Sequence, residues 1–228
     1  MAKKKSGTSP QALENVEQTL TRTEQYLEDN YKTLLTWLVI LASIVGVFWL
    51  GSIYLKKRSS EAQSQMFQAE RYFELDSTTL ALNGDGNYLG FLDIAKSYKM
   101  TKAANLAKYY SGICYLKLGE YENAIDMLNS FSKKDKVLGA TATGAIGDAW
   151  VELGDMKKGV TFYTEAAEYA ENAFLTPIFL MKAGQVYESE KDFTKALEMY
   201  NRILEQYPTS TEGTTIEKHI ARVTLLNK

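Results

Sequence analysis

Hydrophobic positions follow two different rules along this chain. From Thr33 to Leu55 the sequence TLLTWLVILASIVGVFWLGSIYL runs 23 residues without a charged side chain. Lys32 bounds it on one side and Lys56, Lys57 and Arg58 on the other. A helix of that length rises about 35 Å at ~1.5 Å per residue, enough to cross a hydrocarbon core of ~30 Å. Trp37 stands near one end, and Trp49 and Tyr54 near the other, where amphipathic rings favour the headgroup level. Cores of soluble proteins rarely use apolar runs beyond about 18 residues, so the pattern predicts a membrane span in a lipid bilayer. The run begins far from Met1 and ends in Tyr54–Leu55–Lys56 without a small-residue cleavage site, which predicts an uncleaved anchor.

Elsewhere the apolar positions recur every three or four residues. In the arm before the span, Leu13, Val16, Leu20, Thr23, Leu27 and Leu34 keep that spacing. Ser9 suits an N-cap and Pro10 the first helical position. The arm is therefore expected to be an amphipathic helix. Its acidic polar face leaves two readings open, a marginal surface helix or one lying on a partner or at the interface. After the span, residues 61–75 carry Met66, Phe67, Ala69, Tyr72 and Phe73 on one side of a helix, with no breaker between this run and the span. Residues 88–98 predict a second, short helix. Between them residues 76–87, with the breakers Asn83–Gly84–Asp85–Gly86, read as a stretched turn.

A longer period then sets in. Gly112, Gly147 and Gly184 each precede an aromatic by three residues, namely Tyr115, Trp150 and Tyr187. Four positions further stand Gly119, Gly154 and Lys191, then Tyr121, Met156 and Phe193, then Ala124, Gly159 and Ala196, then Leu128, Tyr163 and Tyr200. The spacings are 35 and 37 residues, and the third unit closes at Pro208. Small residues recur where paired helices must approach closely, and the turns LGEYE, LGDMK and SEKDF separate the pairs. No unit can bury its apolar face alone, so such units stack. Ile216, Ile220, Val223 and Leu226 give a final helix the spacing of a cap.

These positions resemble the tetratricopeptide repeat over about residues 105–210. The family's early Trp is replaced by Lys108, Thr143 and Leu180, and its final Pro appears only in the third unit. Taken with the apolar run and the final helix, the resemblance implies an all-α fold: one N-terminal transmembrane helix, then a tetratricopeptide-like solenoid with a C-terminal capping helix. Four parts are expected: an arm over 1–32, the span over 33–55, a linking helix with a degenerate first repeat over 56–104, and three repeats plus cap over 105–228. By analogy with that family, the first helix of each pair lines a concave face. The expected partner-binding residues are Leu106, Tyr109, Ile113 and Leu116, then Val151, then Met181 and Gln185. The same residues could instead be solenoid core. Lys and Asn, which would grip a terminal carboxylate, are absent from the matching positions, so an extended chain or an amphipathic helix suits this groove better.

Composition narrows the function. Residues 59–228 carry 18 Lys/Arg against 23 Asp/Glu, a net charge of about −5, which argues against nucleic acid or an anionic lipid surface as the main partner. His219 is the only histidine and Cys114 the only cysteine. A Cys/His dyad and a His-rich zinc site are thereby disfavoured, and Cys114 reads as a small core residue. Asn83, Asp85 and Asn87 open like a calcium loop, but Tyr88 and Ile94 stand where its Gly and Glu belong. No phosphate-binding Gly–Lys–Ser/Thr loop occurs. The expectation is a protein without cofactor, metal or enzymatic site, whose work is binding.

The order of arm, anchor and repeats resembles the YfgM-like ancillary subunits of the bacterial Sec translocon. The likeness rests on the arm VEQTLTRTEQYLEDNYKTLL, the anchor through Leu55 and the repeats. It implies a scaffold on the SecYEG channel, beside a membrane-anchored periplasmic prolyl isomerase or chaperone, that helps pass exported polypeptides onward. It implies an inner-membrane location with the N-terminus cytoplasmic and the repeats periplasmic. Basic residues near the span are close to balanced on its two sides, so charge alone leaves orientation open. An envelope assembly scaffold with another client and a cytoplasm-facing adaptor stay as alternatives.

Overall fold

The computed structural model describes the backbone of residues 10–228 and the side chains of residues 30–228. Described residues form ten α-helices and one 3-10 turn, with no strand among them. The chain divides into two units, Met1–Lys56 and Lys57–Lys228.

Helix α1, Pro10–Glu74, starts in the first unit. The proposed cap Ser9 lies outside the described residues, and so do the side chains of Leu13, Val16, Leu20, Thr23 and Leu27. From Asn30 onward the helix is long and apolar enough to cross a membrane, with a mean hydropathy of 2.3 in its most apolar window and none of that window buried. Trp37, Trp49 and Tyr54 are all exposed. Thr36, Ser43 and Ser52 donate their hydroxyls to carbonyls about one turn back, so these three polar groups are satisfied within the helix.

The second unit contains the end of α1 and then α2 (Thr78–Asn83), α3 (Phe91–Ser97), α4 (Lys102–Lys117), α5 (Tyr121–Ser130), α6 (Lys136–Glu152), α7 (Met156–Ala170), α8 (Leu175–Ser189), α9 (Phe193–Gln206) and α10 (Ile216–Leu226). Helices α4/α5, α6/α7 and α8/α9 are the three hairpins, and α10 packs on α9. The repeat turns are built alike. Each ends its first helix with a residue in the left-handed region: Gly119 (φ 77°), Gly154 (φ 83°) and Lys191 (φ 62°). Each then closes with the same long bond, from the amides of Glu120, Asp155 and Asp192 to the carbonyls of Tyr115, Trp150 and Tyr187, all at 2.9 Å. This is the glycine-favoured C-terminal motif, and Lys191 adopts it without being glycine. Asp155 and Asp192 also accept from the amides of Lys158 and Lys195, so one aspartate finishes the turn and caps the next helix.

Within each hairpin the helices touch at one small residue. A Cβ placed on Gly112 would lie 2.5 Å from Leu128 Cγ, one on Gly147 2.7 Å from Tyr163 Cδ1, and one on Gly184 2.3 Å from Tyr200 Cε1. The large partner occupies the equivalent position of the second helix in every repeat, as the sequence period requires. Three buried clusters run along the unit. The first holds Met66, Ala69, Leu82, Phe91, Ile94 and Cys114, the second Leu128, Phe131 and Ile146, and the third Tyr163, Leu180, Tyr200, Ile203 and Val223.

Two local expectations change. The stretched turn at 76–87 contains α2, whose Ala81 and Leu82 are buried. The breakers start only at Asn83, which leaves Thr78–Leu82 free to wind onto α4 and α3. The loop itself is shorter and is closed by a bridge between Gly84 and Leu89. In the cap, Ile216 and Val223 are buried while Leu226 is exposed.

Candidate protein-binding surface

The residues expected to line the groove all belong to the first helices α4, α6 and α8. Leu106 packs half-buried against the first cluster, Tyr109, Ile113 and Leu116 against the second, and Val151 and Met181 against the third. Gln185 is exposed. Tyr109 bridges repeats: its ring lies 5.6 Å from those of Tyr110 and Phe131, and its hydroxyl donates to Thr141 Oγ1 at 3.4 Å. The structure thus places most of these side chains at the edge of the core. Part of each half-buried side chain packs into the core, the remainder is open to solvent, and Gln185 packs against none of the three clusters.

The acids of the same helices are engaged as well. Asp148 on α6 accepts the hydroxyl of Tyr163 on α7 at 2.6 Å and the ammonium of Lys182 on α8 at 2.7 Å. Glu188 on α8 accepts the hydroxyl of Tyr200 on α9 at 3.0 Å and is held by Arg222 on α10 through two bonds of 2.8 Å. The two arrangements correspond. In each, a tyrosine at the close-approach position reaches back to an acid of its own repeat, and a cation 34 residues beyond the acid reaches forward from the next helical layer. The first repeat has Leu128 at the tyrosine position and lacks this clamp. Burial raises the tyrosine pKa values, and the acids they face raise them further. The Arg222 bond holds Glu188 below the usual carboxylate range. Burial lowers the His219 pKa, with Arg222 and Lys218 adding to the effect. Asp148 and Glu188 therefore set the packing of one repeat on the next rather than standing free in the groove.

A cavity of about 1070 Å³ opens between the N-terminal ends of α4 and α6. Leu106, Phe131 and Leu138 give it an apolar wall, and Lys99, Lys102, Lys108 and Lys134 line the rest. Asn105 closes one side by a reciprocal pair of bonds with the backbone of Ser132. Of the sequence-derived groove residues only Leu106 reaches this cavity. The lysines come from the α3–α4 turn (Lys99), helix α4 (Lys102 and Lys108) and the loop before α6 (Lys134), and no spacing rule links them.

Cys114 is fully buried, and burial pushes its thiol up to about 12, which keeps it protonated and unreactive. His219 lies beside Arg222 on α10, with its ring 5.5 Å from that of Tyr200. Asp85 folds back on its own loop, accepting from the amides of Asn87 and Tyr88 and from the Tyr72 hydroxyl. Among the described residues no group of three His, Cys, Asp or Glu side chains is placed to hold a metal ion.

Comparison with known proteins agrees with this build. Residues 106–135 and 179–210 match the tetratricopeptide repeat family model. The segment between them is not part of that match, yet α6 and α7 repeat the same hairpin with Gly147 against Tyr163. A TPR repeat-containing protein of Methanocaldococcus jannaschii is 28% identical over 116 residues, which is 51% of this chain and 20% of that protein. The chain thus spans about a fifth of that relative's length. Two crystal structures of the nearly identical TPR-like repeats of a kinesin-light-chain candidate from Podosopora anserina, one of them a point variant, are similar in fold. Their TM-scores are 0.56 and 0.57 at 10% and 11% identity, over 74% of this chain and 87% and 88% of theirs. The second unit is a tetratricopeptide-like helical solenoid, a fold that serves as a scaffold for protein–protein interaction.

Proposed function

We propose that this protein is a membrane-anchored, non-enzymatic scaffold of the bacterial Sec translocon that binds translocon partners and helps pass exported chains to periplasmic chaperones. One observation carries the reading: an apolar helix of spanning length leads directly into a tetratricopeptide-like solenoid. Residues 33–55 would cross the inner membrane, with Trp37, Trp49 and Tyr54 at its interfaces and Lys56, Lys57 and Arg58 at the exit. The N-terminal arm would be cytoplasmic and the repeats periplasmic, as in the YfgM-like family the chain resembles. The open parts of Leu106, Tyr109, Ile113, Leu116, Val151 and Met181, with exposed Gln185, would form the face for apolar segments of a chaperone, a prolyl isomerase or an emerging polypeptide. A solenoid face assembled from successive repeats suits extended partners, because each layer adds contact area along one direction.

Purification of the full chain in mild detergent, followed by identification of copurifying proteins, tests the proposal. Recovery of SecYEG subunits with a periplasmic isomerase or chaperone is the expected result. Recovery of outer-membrane assembly or division components instead would assign another envelope client, and recovery of cytoplasmic proteins alone would overturn the periplasmic placement.

A further inference from the structure

The turn between α3 and α4 and its flanks carry three lysines, Lys96, Lys99 and Lys102, and a side chain close to the end of the apolar stretch bonds to this turn. Arg58 donates to the carbonyl of Ser97 and lies 5.0 Å above the ring of Tyr98. Arg58 is three residues beyond Leu55, so even a fully extended chain places it within roughly 10 Å of the last apolar residue. If residues 33–55 span the bilayer, chain length alone keeps Arg58, and so the turn that it bonds, within reach of the membrane surface. That turn and its flanks read KSYKMTK. Lys96, Lys99 and Lys102 are exposed and make no ion pair among the described residues. Between the last two, Met100 stands out with 89% of its surface exposed, on a left-handed backbone (φ 69°) that turns it away from the core.

We infer that this turn is a docking face for the anionic phospholipid surface around the anchor, with lysines taking headgroup phosphates and Met100 entering the interface. The inference rests on the membrane-anchor reading above. Charge complementarity supports it. The unit as a whole is acidic, yet the cavity beside the turn is lined by Lys99, Lys102, Lys108 and Lys134 and by a single acid, Asp135. That acid is occupied in capping α6, accepting from the amides of Val137 and Leu138. A lysine near an anionic membrane surface strengthens attachment by roughly fivefold, and salt screens the effect within about 8–10 Å. An acidic peptide would satisfy the lysines too. It would have no use for a protruding methionine, and nothing would require its site to be bonded to a residue three positions beyond an anchor.

The test uses the full chain carrying Met100→Cys, labelled with an environment-sensitive fluorophore, since buried Cys114 reacts slowly. The chain is reconstituted into phosphatidylcholine vesicles with or without a third of phosphatidylglycerol, each containing a trace of headgroup-nitroxide lipid. Stronger quenching in the phosphatidylglycerol vesicles is expected, falling to the phosphatidylcholine level in high salt. Adding Lys99→Gln and Lys102→Gln should weaken docking roughly fivefold per lysine removed. Equal quenching in both vesicles, insensitive to salt, would overturn the inference while leaving the anchor intact. So would a label that ignores phosphatidylglycerol and responds to soluble polyglutamate, which would assign the face to an acidic protein segment. Failure of the protein to float with any vesicle would overturn the anchor reading, and this inference with it.

Discussion

Substituting Gly184 by alanine tests the helix contact on which the repeat register depends. A Cβ there would lie 2.3, 2.8 and 3.0 Å from three ring carbons of Tyr200, where ordinary contact begins at 3.4 Å. Relief requires a ring shift of about 1 Å or a parting of α8 and α9. Neither is easy. Tyr200 is fully buried, and its hydroxyl is fixed on Glu188, which Arg222 holds in turn. Overpacking of this kind costs about 1–3 kcal/mol. Alanine recovers about 1 kcal/mol of helix propensity over glycine. The severity of the contact places the net loss at about 1–2 kcal/mol, or a fall of about 2–8 °C in Tm for a domain of this size. The assay is thermal unfolding of the full chain in detergent, followed by far-UV circular dichroism. Gln185→Ala, one residue away and exposed, should stay within about 0.5 kcal/mol of the parent. In a Tyr200→Ala background, which removes every side-chain atom beyond Cβ, Gly184→Ala should become neutral or stabilising. A rise in Tm of the size of the propensity gain in both backgrounds would refute the contact and the register built on it.

Three further outcomes are expected. Ala124→Leu, at a fully buried position whose carbonyl lies 3.3 Å from a Cβ built on Gly112, should cost about 1–3 kcal/mol in the same melt, and an unchanged midpoint would contradict the α4–α5 packing. The stabilisation from Glu188 should be complete above about pH 4.3, the unfolded value, and fade as pH falls through its depressed folded pKa. Arg222→Met should therefore narrow the Tm gap to the parent on acidification, whereas a gap independent of pH would show that the pair carries no linkage. Cys114, with its thiol pushed up to about 12, should react with maleimide at pH 8 only as fast as the domain opens, and immediate labelling of the native chain would contradict its burial.

Local periodicity carries much of this fold in the sequence. The apolar run shows itself through length alone, and the hairpins through small residues and aromatics that recur every 35 to 37 positions. The turn motif is visible at Gly119 and Gly154. At Lys191 the sequence shows only a departure, and the structure shows the same turn kept with a non-glycine residue in the left-handed region. Helix α2 is hidden because its six residues are too few to display a period beside a cluster of breakers. Tyr109 and Ile113 illustrate the limit on reading a groove. Spacing assigns them to one face of α4, but it cannot divide that face between the next repeat and solvent. The clamps of Asp148 with Lys182 and Glu188 with Arg222 join residues 34 apart through side-chain reach, which no local pattern encodes. The basic cavity is likewise assembled from a turn, a helix and a loop that lie apart in sequence.

A photo-crosslinking residue placed at exposed Gln185 in the living cell tests the central proposal most directly. If the solenoid serves exported chains at the translocon, ultraviolet light should yield adducts with a periplasmic chaperone, a prolyl isomerase or an emerging polypeptide, and these should diminish when export is blocked. Adducts formed only with cytoplasmic proteins, unchanged by the block, would contradict it.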